Sequence, residues 1–216
     1  MFSKNKFFLA FEFLIICVLI PTLIIINVWA PYMFAFLWSV CGYAFLIYRY
    51  TDFTSYSELW NWSAVNKSNL KPIFLRWALA SIGMLVFILW YDPERAFFLP
   101  LNAPEVIPFL VLGYPVISAL PQEFIFCTYF FSRFKPFFGS GKLMITVSAI
   151  VFAYAHILYI NPVAPILSLC GGLIFAHTYA KTKSLGLITL EHSLYGITLF
   201  MTGLGWYFYS GGVISG

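Results

Sequence analysis

The stretch KLMITVSAIVFAYAHILYINPVAPILSLCGGLIFAHTYAKTKSLGLITLEH, residues 142–192, decides the fold class. From Leu143 to Ala180 it carries no charged side chain apart from the ionisable rings of His156 and His177. Its two apolar runs meet at the turn dipeptide Asn161-Pro162, and each is long enough, at about 1.5 Å per residue, to cross a hydrocarbon layer roughly 30 Å thick. Backbone groups in that layer must be satisfied internally, so the runs are predicted to be membrane helices over 142–160 and 162–180. A third helix is predicted over 184–208, beyond the basic turn at Lys181 and Lys183.

The rest of the chain reads the same way. Of its 216 residues 62% are hydrophobic and 9% charged, with 25 Phe and a mean hydropathy of +0.88. Soluble domains carry nearer a quarter charged residues, so a water-soluble globular domain is excluded. Further spans are predicted over 7–29, 31–48, 73–91 and 105–132. The fold class is therefore all-α, a polytopic membrane helix bundle of about seven helices, within a range of six to eight. Residues 105–132 set that range, because Pro115 and Pro121 either kink one helix or divide it into two. We expect one continuous membrane domain: residues 1–90 as N-terminal spans with an interfacial connector, and 91–216 as a C-terminal helix bundle. The connector, 50–72, mixes Tyr56, Leu59, Trp60 and Trp62 with polar residues, as a segment lying at the lipid surface does. The four cysteines (17, 41, 127 and 170) all lie in apolar segments without a C-x-x-C pair, which speaks against a disulfide framework or a cysteine zinc site.

The net charge of +4 is spread over the ends of the spans instead of forming a stripe, so no nucleic-acid partner is expected. Lys4 and Lys6 precede the first span; Arg49, Lys67 and Lys71 lie between the second and third; Arg133, Lys135 and Lys142 follow the fourth; Lys181 and Lys183 follow the sixth. The other side holds only Arg95, among Asp92, Glu94 and Glu105. Short cytoplasmic loops collect Lys and Arg, so the amino terminus is expected in the cytoplasm and the carboxyl terminus across the membrane. Arg76, just inside the third span, is expected to snorkel to the headgroups.

Ionisable groups at membrane depth are costly and mark function. They are Glu12, Glu123, His156, His177, Glu191 and His192, with Gln122 beside Glu123. Groups that react together must share a level. Glu123 lies ten residues from Arg133, about 15 Å up its helix, and His192 nine residues from Lys183, about 13 Å up. These two can meet. His156 lies 14 residues from Lys142, about 21 Å, and joins them only if Lys142 sits outside the membrane or the helix tilts. His177 is expected to cap the last turn of its helix, Glu12 to pair with another helix or to keep its proton, and Glu191 to support its neighbour. A carboxylate and two imidazoles can activate water, move a proton and stabilise an oxyanion, the minimal set for amide hydrolysis without a covalent intermediate. The same trio, Glu123, His156 and His192, can alternatively hold zinc. No H-E-x-x-H or G-x-S-x-G motif is present.

At these residues, over roughly 90–205, the chain resembles the CAAX-protease and bacteriocin-processing family of intramembrane proteases, also called the Abi domain. The E-E-x-x-x-R motif aligns with Gln122-Glu123-Phe124-Ile125-Phe126-Cys127, F-x-x-x-H with Phe152-Ala153-Tyr154-Ala155-His156, and H-x-x-x-N with His192-Ser193-Leu194-Tyr195-Gly196. The segment from Gly172 through Tyr179, Thr182, Ser184 and Leu185 to His192 is also similar. Three positions depart. Gln122 stands where the resemblance implies the water-activating glutamate, Cys127 where it implies an arginine, and Gly196 where it implies an asparagine aiding the histidine at the oxyanion.

The resemblance implies an intramembrane endopeptidase of the glutamic type that cuts a membrane-anchored protein or peptide precursor near one end. In that reading Glu123 and His156 polarise water and His192 stabilises the oxyanion, with Gln122, Phe152, Glu191 and Gly196 in support. No cofactor is expected, zinc being the alternative. The resemblance further implies a bacterial inner membrane. The departures motivate a second reading, an inactive scaffold or chaperone binding a partner in the former cavity. A small transporter or proton-coupled channel is a third, disfavoured because paired broken helices are lacking.

Overall fold

The computed structural model describes residues 5–27 and 29–208; Lys4, one of the residues used to set the topology, lies outside them. Among the described residues seven long helices make up the bundle, which we number α1 (Lys6–Ile26), α2 (Ala30–Thr51), α3 (Lys67–Tyr91), α4 (Pro104–Arg133), α5 (Lys142–Tyr159), α6 (Val163–Thr182) and α7 (Leu185–Thr202). The first six are long and apolar enough to cross a membrane. The seventh carries Glu191, His192 and Ser193, all buried. It lies against α3, α4 and α6 instead of facing lipid, so it does not need a uniformly apolar surface. Outward faces are apolar: Leu79, Ile82 and Val86 on α3 and Phe109 and Leu112 on α4 are each more than 60% exposed. Surfaces of that kind need lipid as their solvent, and the protein is an integral membrane protein.

Span boundaries follow local chemistry. α3 begins at Lys67 and not at 73, because the Asn66 side chain accepts from the Asn69 backbone N–H at 3.2 Å and caps the helix there. α4 is one rod and is not divided at its prolines. It absorbs Pro115 and Pro121 by widening into π-helical turns over Pro115–Ala119 and Phe124–Tyr129, where a missing N–H is tolerated. α7 stops at Thr202 short of 208, since Gly203 takes φ +107° and a Cβ there would run into the Arg95 carbonyl. Residues Leu204–Phe208 continue as a 3₁₀ turn.

The connectors gather at two ends. At one, the short helix Tyr56–Trp60 and its following turn cover the α6–α7 junction: Asn61 Nδ2 donates to the Thr182 carbonyl at 2.8 Å, and Ser184 Oγ to that of Trp60 at 2.8 Å. This basic end also carries Lys67, Lys135, Lys181 and Lys183. At the other end Phe97 N donates to the Thr202 carbonyl at 3.0 Å and Asn161 Nδ2 to that of Tyr207 at 2.8 Å.

Close helix packing comes from small residues. Gly172 on α6 faces Ala149 on α5, where an added Cβ would lie 3.0 Å from the Ala149 Cα. Two polar ties join the N-terminal helices to the rest. Glu12 receives Arg133 Nε at 2.6 Å, Tyr43 at 2.6 Å and Tyr129 at 2.9 Å, the carboxylate and guanidinium both buried. Glu12 thus pairs with another helix. Arg76 does not reach for the headgroups; its Nη2 donates to buried Glu191 at 2.8 Å and to Thr178 Oγ1 at 3.2 Å. A buried carboxylate is the stronger attraction for it, since leaving Glu191 unpaired costs several kcal/mol.

Candidate active site

Glu123 and His192 meet. The Oε1 of Glu123 lies 2.7 Å from the Nδ1 of His192, and both residues are buried, at 1% and 5% exposure. Consecutive residues on a helix point about 100° apart, and both helices use this. On α7, Glu191 turns to Arg76 on α3 while His192 turns to Glu123 on α4, so one dipeptide ties three helices together. On α4, Glu123 turns into the protein while Gln122 lines a cavity of about 540 Å³. Against Glu123, one turn on, lies the buried thiol of Cys127 at the position of the expected arginine.

The cavity is walled mainly by apolar residues from α2 to α7, with His156, His192, Gln122, Tyr114, Ser118 and Tyr159 as its principal polar groups. Its outer walls include Met33, Phe87, Val106, Leu167, Leu199 and Phe208, so it occupies the half of the bundle away from the basic end. Glu123 does not line it.

His156 is the residue at which the regular α-helix of α5 ends. Its Nδ1 lies 2.7 Å from the Phe152 carbonyl oxygen, one turn back. A carbonyl only accepts, so Nδ1 carries the hydrogen, and in the neutral ring Nε2 is an acceptor. A carboxylate on His192 Nδ1 imposes the same tautomer there. Phe152 sits between the two imidazoles, with ring centroids 4.6 Å from His156 and 5.8 Å from His192, and Phe175 stacks on His192 at 4.7 Å. This aromatic packing holds both rings at the cavity wall.

The expected trio is therefore distributed differently. Glu123 bonds His192 and not His156, because His156 lies at the far end of α5, near Tyr159, whereas Glu123 and His192 sit mid-helix. Among the described residues no three His, Cys, Asp or Glu side chains converge to hold a metal ion. The zinc alternative on Glu123, His156 and His192 does not fit this placement. His177 is exposed on α6, outside the cluster. Gln122 spends its Nε2 on the Ser118 carbonyl and hydroxyl, at 3.0 and 2.9 Å, and among the described residues its buried Oε1 has no partner.

Sequence reading passed over Tyr114. Its hydroxyl lies 3.1 Å from His192 Nε2, and its ring stands edge-on to His192 at 5.9 Å and to Phe200 at 6.0 Å. Gly196, one turn after His192, leaves the room for it: a Cβ built there would overlap the phenol ring and hydroxyl. The signal available in sequence was the glycine, which reads as a lost asparagine until its neighbour is known.

No curated protein matches the chain, and no solved structure does. The profile of a family described as type II CAAX prenyl endopeptidase Rce1-like matches residues 104–211, half of the 216-residue chain, beginning with α4 and taking in every residue of the cluster just described. With a polytopic helical bundle holding three motif-bearing helices around one intramembrane cavity, the chain belongs to this Rce1-like family of type II CAAX prenyl endopeptidases.

Proposed function

We propose that the protein is an intramembrane endopeptidase that hydrolyses a peptide bond of a membrane-anchored protein or peptide, using a histidine-held water, with Glu123 acting through His192. The observation that carries this reading is the 2.7 Å Glu123–His192 contact, which leaves the other ring nitrogen of His192 at the wall of an apolar cavity. A water molecule in that cavity meets two acceptors, the Nε2 atoms of His156 and His192, with its second lone pair aimed at the incoming carbonyl carbon. Nε2 of His192 takes one proton as the water oxygen bonds the carbonyl carbon. The Glu123 carboxylate stabilises the imidazolium so formed and holds its tautomer, which makes it a positioning residue. The amide of Gln122, whose Nε2 is held by Ser118, leaves its Oε1 as an acceptor for a substrate N–H. Collapse breaks the C–N bond, and the proton on Nε2 passes to the leaving amine, restoring both rings.

The family supports a substrate held in the bilayer, and an apolar cavity suits a membrane segment or lipid chain better than a soluble peptide. Its place away from the basic end supports a scissile bond presented from the membrane half opposite the cytoplasm. The scaffold reading draws on Gln122, which cannot take a proton. Protein reconstituted in liposomes, offered a farnesylated Cys-terminal tetrapeptide motif and single-span reporter proteins with tags at both ends, separates the two readings. We expect cleavage of one probe class, detected by mass spectrometry, and its loss in His156→Ala and His192→Ala. A parent that cuts no probe, together with a Gln122→Glu variant that does, would establish the scaffold.

A further inference from the structure

Tyr114 and Gly196 form one arrangement. Gly196 follows His192 by a single helical turn and so shares its face of α7. With no side chain at 196, the Tyr114 ring occupies that space, held edge-on between His192 and Phe200, and its hydroxyl reaches His192 Nε2 at 3.1 Å. The ring leads directly into the π-helical turns that begin at Pro115, and it lines the cavity beside Gln122 and Ser118. A buried phenol seeks a partner, and this one takes the ring nitrogen of His192 that faces the cavity.

We propose that the Tyr114 hydroxyl is a catalytic group, a hydrogen-bond donor to the oxyanion that leaves His192 when water takes its place there, and that Gly196 is the residue that admits it. The proposal rests on the hydrolytic reading above. In the resting site the Nε2 lone pair accepts the phenol O–H, because Glu123 holds the ring hydrogen on Nδ1. A ring nitrogen offers one lone pair, so the water that is to be deprotonated displaces the phenol from Nε2 before it gives up its proton. The phenol's new acceptor is the scissile carbonyl oxygen, which gains the electron pair of the C=O π bond as the water oxygen bonds the carbonyl carbon and Nε2 takes one water proton. The phenol proton stays on the tyrosine oxygen throughout. Once C–N cleavage is complete and Nε2 has given its proton to the amine, the phenol returns. A hydrogen bond that strengthens as charge builds on that oxygen stabilises the transition state more than the bound substrate.

The test uses full-length protein in liposomes and whichever of the two probes above it cleaves. Tyr114→Phe keeps the ring and its packing. The expected result is a kcat lower by about 10² to 10³, with KM within about threefold and an unchanged thermal midpoint, the loss typical of removing one oxyanion donor. Gly196→Ala, which displaces the ring, should lose a similar factor in kcat. In Tyr114→Ala, adding Gly196→Asn places an amide donor in the vacated space, and about tenfold of the activity should return. A Tyr114→Phe enzyme within about threefold of the parent, while His192→Ala is dead, would overturn the proposal and leave the hydrolytic reading standing. So would a loss in Tyr114→Phe confined to KM or to thermal stability. Absence of cleavage by the parent overturns both.

Discussion

At the scale of single residues, Gln122 and Glu123 are adjacent in the chain but face different surroundings. The helix turns about 100° between them, so the neutral amide faces the cavity and the carboxylate lies behind His192. Replacing Glu123 by Gln keeps an oxygen for Nδ1 but removes the charge that, in the proposed reaction, stabilises the imidazolium. The expected loss in kcat is about 10² to 10⁴, with the probe bound as before, measured by initial rates in liposomes. Gln122→Ala should cost less, about 10- to 100-fold, because it removes an acceptor for the substrate and leaves the His192 machinery in place. Equal losses in both variants would contradict this division of labour.

At the scale of elements, α4 carries Tyr114, Gln122 and Glu123, and its two π-helical stretches bracket Leu120–Glu123. They let a proline-bearing rod stay continuous while aiming Tyr114, Gln122 and Glu123 at α7. Below them the helix is anchored by the Arg133–Glu12 pair. Removing one partner of a buried ion pair strands the other, at a cost of about 3–5 kcal/mol. Glu12→Ala should therefore lower the thermal midpoint in detergent far more than a change at Phe7, whose side chain is exposed. A joint Glu12→Leu, Arg133→Met replacement should recover most of the difference. The α5–α6 contact makes a second case. Gly172→Leu must separate two helix backbones already in contact, and because Phe152 and Phe175 from those helices pack against His192, activity should fall together with stability.

At the scale of the whole molecule, the cavity and the basic connectors lie at opposite halves of the bundle, so the side on which substrate is cut follows from the side on which lysines are held. Single cysteines at exposed Lys67 and Ser140 should be labelled by a membrane-impermeant maleimide only from the cytoplasmic side, and one at exposed Glu94 only from the other. Of the tagged single-span reporters, those with the cleavable segment at the non-cytoplasmic boundary should be the ones cut. Labelling of Glu94→Cys from the cytoplasm would reverse the orientation and the expected substrate side together.

The apolar runs, the basic turns and the three motif-bearing helices were legible in residues 142–192 and their surroundings, because span length and loop charge are local properties that the bilayer enforces wherever the chain folds. The shared level of Glu123 and His192, which meet at 2.7 Å, was legible too, since rise per residue converts sequence distance into height. Helix rotation was not legible. Whether Arg76 points to headgroups or to Glu191, whether Gln122 or Glu123 faces the cavity, and whether Gly196 leaves a gap or a berth for Tyr114 all depend on how each helix is turned against its neighbours. That turning comes from long-range packing, from Gly172 against Ala149 and from the π-helical turns at Pro115 and Phe124, and no local pattern encodes it. Sequence alone therefore determined the bundle and the level of the site, while tertiary structure decided which atoms face the cavity, because azimuth around a helix axis is set by contacts between residues far apart in the chain.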